Sequence, residues 1–157
     1  MIVYHGSYTA VEVPDVMHSR RNVDFGPGFY TTPLREQAEK WCKRFADRER
    51  GAVVSVYCFS EELLEKYKVL KFDSYSEEWL DFVLNCRRGI DTTSYDVVMG
   101  GVANDKVFNT VELFFEGLID KTEAIKRLRY EKPNMQIVFR TQEVIEACLR
   151  FERGEKV

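Results

Sequence analysis

The apolar residues of this chain arrive in short runs, separated by stretches of helical period at irregular intervals. The runs are "IVYHGS" at 2–7, "GFYTT" at 28–32, "AVVSVYCF" at 52–59, "KVLKF" at 68–72, "YDVVMGGVA" at 95–103 and "MQIVFRT" at 135–141. Each is about strand length and rich in β-branched or aromatic residues. Between them, residues 33–48 form an amphipathic helix, with Leu34, Ala38, Trp41, Cys42 and Phe45 on one stripe behind the start signal Thr32-Pro33. A short helix follows Ser60, and a longer one runs from Ser76 to Arg88 with Gly89 at its end. Residues 105–117 are helical, Asp120-x-x-Glu123 resembles a capping box, and "QEVIEACLRFERG" is expected as a terminal helix. A regular βαβ array would need regular intervals. The pattern instead predicts one α+β domain over 1–157, with five or six strands in a mainly antiparallel sheet. The pair Gly100-Gly101 is expected to break its strand.

Charge excludes little but points away from bulk electrostatic binding: 23 Lys+Arg stand against 26 Asp+Glu, a net −3. The arginine pairs at 20–21 and 87–88 are the local basic candidates. No apolar run reaches bilayer length. The start "MIVYHGSYTA" lacks a basic leader and a long apolar region, so a cytoplasmic protein is expected unless other machinery exports it. Cys42, Cys58, Cys86 and Cys148 are widely spaced and each lies in an apolar-periodic segment. They read as reduced thiols packed as small hydrophobes.

Two segments concentrate residues suited to chemistry. In "YHGS" at 4–7, Gly6 lets a ligand approach the main chain closely, and His5 sets an imidazole beside it. Backbone groups can pair with a carboxamide while a ring nitrogen bonds a hydroxyl. Taken alone, His5 has the plainer role of a satisfied strand-end histidine. In "DFGPGFYTT" at 24–32, Gly26 and Gly28 bracket a proline in a tight turn, and Phe29 and Tyr30 then point to opposite faces. One ring can enter the core while the other stacks on a planar ligand. The alternative is a plain turn between core aromatics.

Together, "YHGS", "DFGPGFYTT" and the following "PLREQAEKW" resemble the first two motifs of the ADP-ribosyltransferase superfamily, in the His-Tyr-Glu branch of poly(ADP-ribose) polymerases and diphtheria-type toxins. More narrowly, they resemble a family of uncharacterised small bacterial domains in that superfamily, whose third position is Glu, Asp or Gln. The resemblance implies a split, mainly antiparallel sheet with flanking helices, and NAD as substrate without a metal. It implies that His5 bonds the 2′-hydroxyl of the adenine ribose and that the Gly6 backbone pairs with the nicotinamide carboxamide. Ser7 would support the pocket, Tyr30 would stack on the nicotinamide, and Gly26 and Gly28 would shape the turn beneath. Arg20 or Arg21 would meet the phosphates, or be solvated loop residues.

The third position falls on Gln136, which heads the run at 135–141. Where the family's glutamate stabilises an oxocarbenium-like centre, glutamine can bond a ribose hydroxyl but carries no charge and takes no proton. Removal of one such interaction costs roughly 10²–10³ in rate. Glu112, Glu116 and Glu143 are lesser alternatives, the first two expected to be solvated on a helical face. Asp96 and the following glycines either border the pocket or make an ordinary turn. The resemblance thus implies a mono-ADP-ribosyltransferase acting on an unidentified acceptor (protein, nucleic acid or small molecule), with a toxin, effector or housekeeping role and a neutralising partner protein as one prospect. The alternatives are a catalytically weak or inactive NAD or ADP-ribose-binding module, or an interaction domain with a vestigial pocket. No membrane partner is expected.

Overall fold

The computed structural model describes residues 1–46 and 50–157. Its strands and helices are β1 (Ile2–Ser7), β2 (Phe29–Thr31), α1 (Arg35–Ala46), β3 (Val53–Phe59), β4 (Val69–Lys71), α2 (Glu77–Arg87), β5 (Val97–Gly101), α3 (Asp105–Phe115), α4 (Lys121–Leu128), β6 (Met135–Phe139), α5 (Gln142–Cys148) and β7 (Leu149–Lys156). A 3-10 helix at Glu61–Lys66 follows Ser60. The strands form two sheets, ordered β1-β3-β7 and β2-β6-β5-β4. Every pairing is antiparallel except β4 with β5. The fold is α+β, with mainly antiparallel sheets and flanking helices.

Side-chain alternation along the strands sorts the core into layers. From β3, Val54 and Val56 pack with Ala38 and Cys42 of α1, so that helix covers the outer face of the first sheet. Tyr57 and Phe59 point the other way, meeting Val3 and, from the second sheet, Phe29, Val97, Ile137 and Phe139, with Val144 and Ile145 of α5 at the margin. Val98 and Val138 face outward from the second sheet onto Trp79, Leu80, Val83, Val107, Val111 and Leu128 of α2, α3 and α4. One isolated bridge, Tyr4 with Thr32, ties the two sheets at a shared margin.

Most helix starts follow their capping signals. Ser76 accepts from the Trp79 N–H, Asn104 from Lys106 and Val107, and Asp120 from Glu123. Gly89, at φ 70°, closes α2 through its N–H to the Cys86 carbonyl. Thr32 Oγ1 accepts from the Leu34 N–H at 3.1 Å, and α1 begins one residue later. The helix expected to reach 48 is described to Ala46, and its last two positions lie outside the described residues.

Three expectations need correction. The terminal helix is short: α5 stops at Cys148, and Leu149–Lys156 is a strand completing the first sheet against β3. That strand brings the total among the described residues to seven rather than five or six. Gly100 and Gly101 do not break β5 but belong to it. A Cβ on Gly101 would stand 2.4 Å from the Tyr75 ring, and one on Gly100 3.0 Å from Phe25. Glycine is there because aromatic rings press on the strand from above and below.

Candidate functional site

The two sheets part just beyond the bridge. The Tyr4 N–H donates to the Thr32 carbonyl at 2.8 Å, and the Tyr4 carbonyl accepts from the Thr32 N–H at 2.9 Å. Strand alternation turns the N–H and C=O of Gly6, two residues on, to that same edge. Were the pairing to continue, Gly6 would face Tyr30. Instead the Tyr30 carbonyl accepts from His5 Nδ1 at 2.7 Å. The imidazole has inserted itself as the partner of Tyr30, and the Gly6 backbone faces the split.

This contact fixes the tautomer. A carbonyl only accepts, so Nδ1 carries the proton. Burial holds the His5 pKa below its ordinary value, against the opposing pull of the Tyr30 carbonyl. The ring is therefore neutral at pH 7, and Nε2 is an acceptor. Phe29 stacks on the imidazole at 4.5 Å with 30° between planes, which sets its orientation.

Gly6 is required on its other side too. A Cβ there would come within 2.1 Å of the Ala38 carbonyl oxygen, so α1 rests directly on it. Ser7 ends β1 opposite Val53, half-buried, and its hydroxyl bonds none of the described residues.

The phenol of Tyr30 is tied down. Its hydroxyl donates to the Gly26 carbonyl at 2.6 Å and accepts from the Phe25 N–H at 3.1 Å. Burial pushes its pKa far above the usual tyrosine value, so Tyr30 offers a ring and not a proton. As expected, Phe29 and Tyr30 serve opposite faces: Phe29 enters the core between the sheets and Tyr30 packs against the outer one. Gly26 sits at φ 74°. A Cβ on Gly28 would meet Val138 Cγ1 at 2.7 Å, so that glycine lets β2 close on β6.

Gln136 lies on β6 opposite Gly100 and two residues from Val138, which pairs with Tyr30. Strand alternation puts Gln136 and Tyr30 on the same face of the second sheet. Gln136 is only 3% exposed, and its Nε2 is buried without a hydrogen-bond partner among the described residues. An unpaired buried donor costs about 1–3 kcal/mol, which a ligand oxygen would recover.

The structure thus joins His5, Gly6 and Tyr30 at one split and sets Gln136 on the neighbouring strand. Arg20 and Arg21 stay exposed on the loop before β2, with no carboxylate partner among the described residues. Described residues line two of the surface hollows. The larger, about 600 Å³, is lined by Tyr4, Pro33, Leu34, Gln37, Lys40 and Asn134 among others, and the smaller, about 450 Å³, lies between α2 and α4. Neither is lined by His5, Tyr30 or Gln136. His5 reaches across the split to the Tyr30 carbonyl.

Other carboxylates and the thiols have local work. Asp96 accepts from the Lys68 N–H and from Thr141 Oγ1. Glu112, expected to be solvated, pairs with Arg87. Glu143 is exposed in the first turn of α5. The cysteines are free, and burial pushes the Cys86 thiol up to about 12. Arg87, flagged with Arg88 as a basic patch, is the residue that sequence reasoning placed wrongly: its side chain is 11% exposed and holds Asp24 at 2.8 Å. No local signal marks such a pair, because its partners lie 63 positions apart.

No curated protein and no solved structure matches the chain. One family model does, over residues 1–151, and the chain therefore belongs to DUF3990, a family described as protein of unknown function.

Proposed function

We propose that this chain is an NAD-dependent mono-ADP-ribosyltransferase whose donor site is the split between β1 and β2. The observation that carries the reading is the Gly6 backbone, whose N–H and C=O face an edge from which His5 has displaced the natural partner. One donor and one acceptor side by side match a carboxamide. His5 Nε2, an acceptor, suits a ribose hydroxyl. The Tyr30 ring, held at its hydroxyl end, forms a wall for the nicotinamide ring. The orphaned Nε2 of Gln136 is a donor for a further ribose oxygen.

In the reaction, the bond between the nicotinamide nitrogen and ribose C1′ breaks. Its electron pair goes to the nitrogen, and neutral nicotinamide leaves. The acceptor forms the new bond to C1′ and loses its proton if it has one. Gln136 takes no proton, so the acceptor must be nucleophilic already or be activated by its own neighbours.

A second reading, an NAD or ADP-ribose-binding module without turnover, is favoured by Gln136 itself, which carries no charge and takes no proton. One experiment separates the two. Incubate the protein with NAD and follow free nicotinamide by NMR. Release that disappears in Tyr30→Ala and His5→Ala supports the enzyme, and saturable binding without release supports the module. Neither signal would sink both.

A further inference from the structure

We propose that Arg87 is a positioning residue for Tyr30, acting through Asp24. The inference rests on the reading of Tyr30 as the wall of a nicotinamide site. It starts from the turn that carries the tyrosine. The Tyr30 hydroxyl is anchored at that turn: Phe25 N–H donates to it, and it donates to the Gly26 carbonyl. Both turn residues follow Asp24 directly. Asp24 is gripped by Arg87, whose Nε and Nη2 both reach Asp24 Oδ1, at 2.9 and 2.8 Å.

Arg87 is itself fully engaged. Its Nη1 bonds Glu112 of α3, and its guanidinium lies 5.0 Å from the centre of the Phe108 ring. The planar fork therefore links the end of α2, the face of α3 and the start of the turn, three parts of the chain with no backbone pairing to one another. A lysine could not do this, because an ammonium is a point charge without the fork. A second arginine lies close to the turn. Arg140, 11% exposed and paired with Asp91, lies with its Nη2 3.9 Å from where a Gly26 Cβ would stand. The start of the turn is thus held by the half-buried Arg87–Asp24 pair, and the tyrosine hydroxyl closes it.

The test uses Arg87→Lys, which keeps the charge, and Asp24→Asn, which keeps the acceptor oxygen, so that both variants have reason to fold. Two readouts are taken. One is the Tyr30 hydroxyl proton in NMR, assigned by its loss in Tyr30→Phe and slowed in exchange by its bond to Gly26. The other is the NAD dependence of nicotinamide release. Arg87→Lys is expected to shift or broaden the hydroxyl signal and to lower kcat/KM by about 10²-fold, mostly through KM. Asp24→Asn should move both readouts the same way by a smaller factor. Folded variants with an unchanged hydroxyl signal and unchanged KM overturn the proposal. A displaced hydroxyl signal in a protein that never releases nicotinamide or binds NAD supports the positioning role and removes the NAD reading.

Discussion

His5 Nδ1 donates to the Tyr30 carbonyl at 2.7 Å, a contact between a side chain on the first strand and a main-chain oxygen on the second. It occupies the place that a Gly6 N–H would take in a continuous sheet. The same hydrogen bond therefore ends one pairing, fixes a tautomer and leaves a carboxamide-like edge vacant.

Burial makes His5 harder to protonate in the fold than in the unfolded chain, whose value is near 6.5. The unfolded state then binds more protons in the window between the lowered native value and 6.5, so stability rises with pH there. This contribution is complete above 6.5 and is lost as the pH falls below it. The melting temperature of the native protein should drop more between pH 7 and pH 5 than that of His5→Gln. Parallel pH profiles of the two would contradict it.

Gln136 gives opposite signs for stability and function. Gln136→Leu removes an unpaired buried donor, so the ligand-free protein should be as stable as the parent or up to about 2 kcal/mol more so. NAD binding should weaken in the same variant. Gln136→Glu buries a carboxylate and should lower stability, while raising nicotinamide release if this is the third signature position. Urea melts and a release assay on both variants decide the matter.

Gly6→Ala should fail on packing before any question of ligand arises. The new methyl would meet the Ala38 carbonyl at 2.1 Å, and that atom belongs to helix backbone. A loss of about 3 kcal/mol or more is expected, read as a lower urea midpoint. A midpoint within error of the parent would mean that α1 does not rest on Gly6.

Tyr30→Phe separates the ring from its anchor. It removes the bonds to Gly26 and Phe25 but keeps the wall. Stability should fall by roughly 1–3 kcal/mol, with NAD affinity reduced at least as much as in Arg87→Lys but less than in Tyr30→Ala. Equal losses of affinity in the two variants would show that the hydroxyl, and not the ring, matters.

Much of this was legible in the residues. β1, β3 and β6 announce themselves as short runs of apolar, β-branched and aromatic residues, and Ser76, Asn104 and Asp120 cap the helices they precede. The bond from His5 to the Tyr30 carbonyl was not legible, because register between distant strands decides it. Nor was β7. Leu149 and Phe151 alternate with exposed Arg150 and Glu152, a strand pattern, yet they follow directly on a helical period and carry the charges of a solvated helix. Arg87 was misplaced for a related reason. A long cationic side chain at a helix end is normally solvated, and only the fold brings Asp24 beneath it.

The central strand of the first sheet is β3, with the opening strand on one side and the closing strand on the other. A ribbon of only two strands is marginal in water. During synthesis, residues 2–7 and 53–59 must therefore wait for 149–156 to leave the ribosome before that sheet becomes durable. The His5–Gly6 edge is therefore translated well before the strand that locks its sheet, so a chain cut short of residue 149 would carry every residue of the split without its shape.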